Sequence, residues 1–160
     1  MNFTLIGDTK NIYFGVGGAK SPPSTPVKRA RSQTRNSAKS SVPEGEYYAE
    51  AVRWAAAMGV AEGTTKTTFE PNAKITREEM AAMFYRFIKA NGGGFTGGWA
   101  FPLDYPDADK VSEWAYEPMC YLTMPSVGLM QGMEDGTLAP GANTNRAELA
   151  TVLMRYNELD

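Results

Sequence analysis

The stretch "KITREEMAAMFYRF" at residues 74–87 returns in outline as "TNRAELATVLMRYN" at residues 144–157. Each spells the start of an amphipathic helix. Thr76 with Glu79, and Asn145 with Glu148, have the spacing of a capping box, in which the first side chain takes a backbone N–H and the carboxylate reaches back. Ile75 and Met80 are placed to form the accompanying hydrophobic staple. Met80, Met83, Phe84, Phe87 and Ile88 then recur at intervals of three and four, as do Leu149, Val152, Leu153 and Tyr156, so each helix carries one apolar stripe for core packing. Arg77 and Arg146 occupy the first helical position, beside the positive end of the helix dipole, where a cation costs roughly a few tenths of a kcal/mol. An anion docked there reverses the sign, because free N–H groups, dipole and guanidinium would all face it. The alternative is that each arginine pairs with a nearby acid or lies in solvent.

The similarity extends beyond these helices. A shift of 69 aligns Gly63–Phe87 with Gly132–Tyr156 without a gap, and eight of the twenty-five positions are identical, among them Pro71/Pro140, Arg77/Arg146, Glu79/Glu148 and Arg86/Arg155. Chance supplies about one or two. Upstream a shift of 67 pairs Tyr47 with Trp114, Glu50 with Glu117 and Trp54 with Tyr121. The body is an internal duplication. Each copy reads as helix, turn-rich loop, helix, which makes the fold class all-α. In the first copy "YYAEAVRWAAAMG" places Tyr48, Ala51, Val52 and Ala55 on one face and stops at Gly59. The matching helix of the second copy contains Pro118 and is followed by Pro125, which predicts a kink or a shortened helix.

Segment boundaries follow from composition. Residues 1–41 read as a basic, Ser/Pro-rich tail, mostly disordered; 42–92 as repeat 1; 93–104 as a Gly-rich connector; and 105–160 as repeat 2. Net charge over the 160 residues is −2, but residues 19–40 carry Lys20, Lys28, Arg29, Arg31, Arg35 and Lys39 with no acid, whereas residues 41–160 hold seventeen acids against nine bases. A basic tail precedes an acidic body. There is no histidine, and Cys120 is the single cysteine, so an intrachain disulfide, a Cys/His zinc site, a Ser-His-Asp triad and a Cys-His pair are all excluded. No cofactor, metal or catalytic residue is expected. Adjacent Glu78 and Glu79 point to different helix faces, and Glu79 is already used in the cap, which argues against a glycosidase pair. No apolar run has the length of a membrane span, and no signal peptide is visible at the N-terminus.

The runs "YYAEAVRWAAAMGV…FEPNAKITREEMAAMFYRF" and "YPDADKVSEWAYEPM…GLMQGMEDGTLAPGANTNRAELATVLMRY" resemble two S-layer homology (SLH) repeats, over residues 42–160. The resemblance rests on the Trp/Tyr-led first helix, the "DGTL-x-P" or "TTF-x-P" loop and the "TREE" or "NRAE" helix start. It implies non-covalent anchoring to a Gram-positive-type cell wall through a secondary wall polysaccharide bearing acidic, pyruvylated sugars. It also implies a pseudo-threefold helical unit of three repeats, incomplete here with two, so that a further SLH repeat or a homo-oligomer would supply the missing groove. Ligand-binding residues implied by the match are Arg77 and Arg146, with Tyr47 and Trp114. The family places such proteins at the cell surface; the missing signal peptide leaves the cytoplasm as the alternative.

Two other readings compete. Helical repeats also serve as protein–protein interaction or self-assembly modules. The tail "PVKRARSQTRNSAKSS" has the charge of a nucleic-acid contact but no interleaved aromatic residues, so nucleic acid is not the expected partner.

Overall fold

Both capping boxes form as expected and set where the two long helices begin. In the computed structural model, which describes residues 42–65, 68–97 and 102–159, four helices follow one another: α1 (Ala49–Ala57), α2 (Arg77–Ala90), α3 (Glu113–Thr123) and α4 (Arg146–Glu158). The tail of residues 1–41 lies outside the described residues. Thr76 accepts from Glu79 N while the Glu79 carboxylate takes Thr76 N at 2.7 Å; Asn145 and Glu148 repeat the exchange at α4. The fold is all-α, helix–loop–helix twice over, and among the described residues there is no strand beyond an isolated antiparallel bridge between Thr76 and Asn143.

The loops show the duplication as clearly as the helices do. Glu70 and Ala139, equivalent under the shift of 69, both adopt positive φ, at 51° and 50°. That conformation is uncommon for residues with a Cβ, so each loop stores the same local strain at the same register.

The main core lies between α2, α3 and the second loop. Met119, Leu122, Leu129 and Leu138 are its largest fully buried side chains, each worth about 1.5–3 kcal/mol relative to exposure. Phe84 and Phe87 meet Tyr156 at ring centroid distances of 5.4 and 5.8 Å, tying α2 to α4. Phe95 from the connector stacks edge-on to Tyr121 at 5.1 Å and donates its N–H to the Tyr85 hydroxyl. A second, smaller cluster holds Val42, Ala49 and Val52.

Two expectations need correction. In α1 the buried residues are Ala49 and Val52, whereas Ala51 is exposed; the helix rests on Val42 and Phe69 through a narrower face than the pattern suggested. α3 carries Pro118 inside its eleven residues and ends at Thr123, ahead of Pro125. The proline leaves one carbonyl without its intrahelical donor, and its own buried position beside Ala115, Met119 and Leu122 offsets that loss. Finally, α4 has the same apolar spacing as α2 but buries only Val152, against seven buried residues in α2. Leu149 and Leu153 are 39% and 50% exposed.

Candidate functional site: two grooves in the same register

Arg77 does not face solvent at its helix start. Its residue is 4% exposed, and its guanidinium is clamped by the second repeat. Nε donates to Leu138 O at 3.0 Å, Nη2 to Gln131 O at 2.8 Å, and Nη1 to Glu148 Oε1 at 2.5 Å. Three of the five N–H donors of the guanidinium are thereby used within the protein. The free N–H groups of the first turn of α2 are also occupied: Arg77 N donates to Ala142 O and Glu78 N to Pro140 O. The dipole that disfavours an arginine here is thus met by loop carbonyls and a carboxylate from the other copy.

Glu148 is the hub of this clamp. Burial pushes its carboxyl upward, but the Asn145 N–H, the Thr144 hydroxyl and Arg77 together hold it below the usual carboxylate range. The loop opposite is pinned by Asp107, 6% exposed, whose two oxygens accept Leu138 N and Ala139 N at 2.7 and 2.8 Å. There too burial acts upward, and the N–H bonds with nearby Lys110 overcome it, leaving Asp107 below its ordinary value. Glu78 accepts both the N–H and the hydroxyl of Ser112 at 3.0 Å, holding the residue that opens α3.

Two grooves flank this junction. The smaller, about 280 Å³, is lined by Arg77 and Met80 on one side and by Met130, Gln131, Glu148, Thr151 and Arg155 on the other. The larger, about 600 Å³, is lined by Ala61, Glu62, Glu79, Ala82, Met83 and Arg86, with Trp114 and the loop around Phe69 and Pro71. Subtracting 69 from the second-repeat wall of the smaller groove gives the first-repeat wall of the larger one: Met130 becomes Ala61, Gln131 becomes Glu62, Glu148 becomes Glu79, Thr151 becomes Ala82 and Arg155 becomes Arg86. They are the same surface in two copies. In repeat 2 it receives Arg77 and Met80 from the preceding repeat; in repeat 1, among the described residues, no arginine from outside the repeat lines it, and it carries Trp114 from the following repeat.

The four residues singled out from the sequence therefore lie in separate places. Arg77 is in the smaller groove and Trp114, 52% exposed, in the larger. Tyr47 is 95% exposed and meets Tyr48 edge-on at 5.1 Å, and Arg146 is exposed at the start of α4. For Arg77 the pairing with an acid is realised, and for Arg146 the solvent position. Sequence reasoning missed Arg86, which reaches Glu62 at 3.2 Å beside Trp114, and missed Asp107 and Glu78. The repeated Arg86/Arg155 pair was visible in the duplication; Asp107 carried no comparable signal.

Comparison with known proteins finds the same two segments. The model of the S-layer homology domain matches residues 42–81 and 104–150. An amylopullulanase from Thermoanaerobacterium thermosulfurigenes is 31% identical over 121 residues, which is 71% of this chain and 6% of the relative. Cell surface glycoprotein 1 and a cellulosome-anchoring protein, both from Acetivibrio thermocellus, are 34% and 33% identical over 56% of the chain, covering 4% and 19% of their own lengths. The chain thus spans a small fraction of these relatives. No solved structure matches it significantly.

Proposed function

This chain belongs to the S-layer homology domain family, and from that premise we propose that it is a non-catalytic anchoring module at the cell surface that binds an acidic, pyruvylated secondary cell-wall polysaccharide. The observation that carries the reading is the larger groove, where half-exposed Trp114 stands beside Arg86 in about 600 Å³ of open space. An indole face stacks on a sugar ring while a guanidinium takes a carboxylate, which is the pair of contacts an acidic sugar needs. Arg77 lines the related smaller groove, and Tyr47 and Arg146 are the exposed counterparts of Trp114 and Arg77; all four are assigned to ligand binding. Of the carboxylates that line this groove, Glu79 is held in its cap and Glu62 pairs with Arg86, which supports a role without catalysis. The relatives described as cell-surface and anchoring proteins point the same way.

The test is co-sedimentation with purified Gram-positive sacculi before and after chemical removal of the wall polysaccharide. The protein is expected to sediment with intact sacculi and not with stripped ones, and Trp114→Ala is expected to weaken binding by about tenfold or more. Equal sedimentation with stripped and intact sacculi would overturn the reading.

A further inference from the structure

We infer that Glu62 is a built-in competitor for the acidic group of the ligand: it holds Arg86 in the free chain and hands that guanidinium over when an acidic sugar enters the larger groove. The two grooves differ in the charges that line them. The smaller has the guanidinium groups of Arg77 and Arg155 against the carboxylate of Glu148. The larger has the opposite balance, Arg86 against Glu62, Glu70 and Glu79. Among the described residues that line it, an incoming carboxylate therefore has a single cationic partner, and Glu62 already occupies it at 3.2 Å.

The duplication places the same arginine in a different setting in the second repeat. Under the shift of 69, Arg86 corresponds to Arg155 and Glu62 to Gln131. Arg155 donates to the Leu129 carbonyl at 3.3 Å, and the residue in the register of Glu62 is uncharged. A carbonyl leaves the charge of a guanidinium in place, whereas a carboxylate cancels it. Repeat 1 alone carries this counter-charge.

Glu62 is also placed to yield. Its side chain is 67% exposed, whereas that of Arg86 is 33% exposed. Displacement moves Glu62 into water with little packing lost and leaves Arg86 in the wall of the groove beside Trp114. Glu79 is not released in the same way, because its carboxylate takes Thr76 N at the start of α2. Binding is then an exchange of one ion pair for another. An exposed pair contributes little, so the competitor weakens the ligand by a small factor, about two- to fivefold. Its clearer mark is in salt. A carboxylate that pairs with an unoccupied guanidinium loses affinity as salt screens the attraction, whereas in an exchange the pair broken offsets the pair formed. This role rests on the polysaccharide reading above, since it concerns the same groove.

Titration of the full chain against purified Gram-positive sacculi, intact and after mild acid removal of their pyruvyl ketals, tests it at low and high sodium chloride with two isosteric variants. Glu62→Gln is expected to bind intact sacculi about two- to fivefold more tightly than wild type and to lose affinity more steeply with salt. Glu70→Gln removes the same charge from the lining of the same groove without freeing Arg86, and is expected to bind like wild type. On sacculi without ketals the gain of Glu62→Gln is expected to vanish. A Glu62→Gln protein that binds intact sacculi no better than wild type, a Glu70→Gln protein that gains as much, or a gain that survives removal of the ketals would each overturn the role of Glu62 and leave the polysaccharide reading standing. Wild type and Glu62→Gln that each bind equally well with and without the ketals would overturn the acidic-sugar reading, and this role with it.

Discussion

Arg77, at the start of α2, is ion-paired at 2.5 Å with Glu148, in the capping box of α4. Each copy supplies one half of the pair, so a residue that looks misplaced within its own helix is explained by the other repeat. Its equivalent, Arg146, has the same local setting and lies exposed.

That asymmetry predicts unequal mutants. Arg77→Ala takes the guanidinium donors away from Glu148 Oε1 and from the Gln131 and Leu138 carbonyls, and is expected to cost about 3–5 kcal/mol. Arg146→Ala removes an exposed cation and should stay within about 0.5 kcal/mol. Urea unfolding of the two proteins under identical conditions checks both; similar midpoints would show that the clamp does not hold the repeats.

Stability should fall in acid through Glu148 and Asp107. Both carboxyls titrate below their ordinary values of 4.5 and 3.8 in the folded chain, so the unfolded chain takes up protons first. Their contribution is complete above those ordinary values and is lost as pH falls through the lowered, folded ones. Urea midpoints should therefore hold steady from about pH 7 to about pH 5 and then decline. Glu148→Gln and Asp107→Asn should each lower the neutral midpoint and shallow the acid decline.

At the alkaline end the relevant group is Tyr85. Burial, and then its 2.6 Å hydrogen bond to Glu117, push the phenol up to about 12 from 10.0. A raised value means that the stabilisation is complete below 10.0 and disappears as pH rises through about 12. Ultraviolet titration of native Tyr85→Phe should lack the latest-ionising phenol. The variant should also lose about 1.5–3 kcal/mol, the usual contribution of a hydrogen bond to a charged group.

How much of this was legible in the sequence depended on the range of the interaction. Thr76 with Glu79 and Asn145 with Glu148 are three residues apart, and both boxes were readable because capping is local chemistry. The apolar stripes were readable too, but a stripe gives a face and not its occupant. Met80 and Leu149 have the same spacing and burials of opposite sense, since among the described residues only α2 has a repeat docked on it. The carbonyls of Gln131 and Leu138 have no sequence signature, because every residue carries one; both an anion and a nearby acid therefore stayed open as partners of Arg77. Pro118 was legible as a residue that costs the helix one hydrogen bond, but not the burial of Ala115, Met119 and Leu122 in the same helix.

The first-turn N–H groups of α2, donated to Ala142 and Pro140, have a bearing on biogenesis. A chain made from its N-terminus finishes the sequence of α2 well before the ribosome reaches those carbonyls, or Glu148. Vectorial synthesis thus leaves the first repeat unlatched until the second has been made, and the two repeats lock as a single cooperative event once Glu148 has emerged.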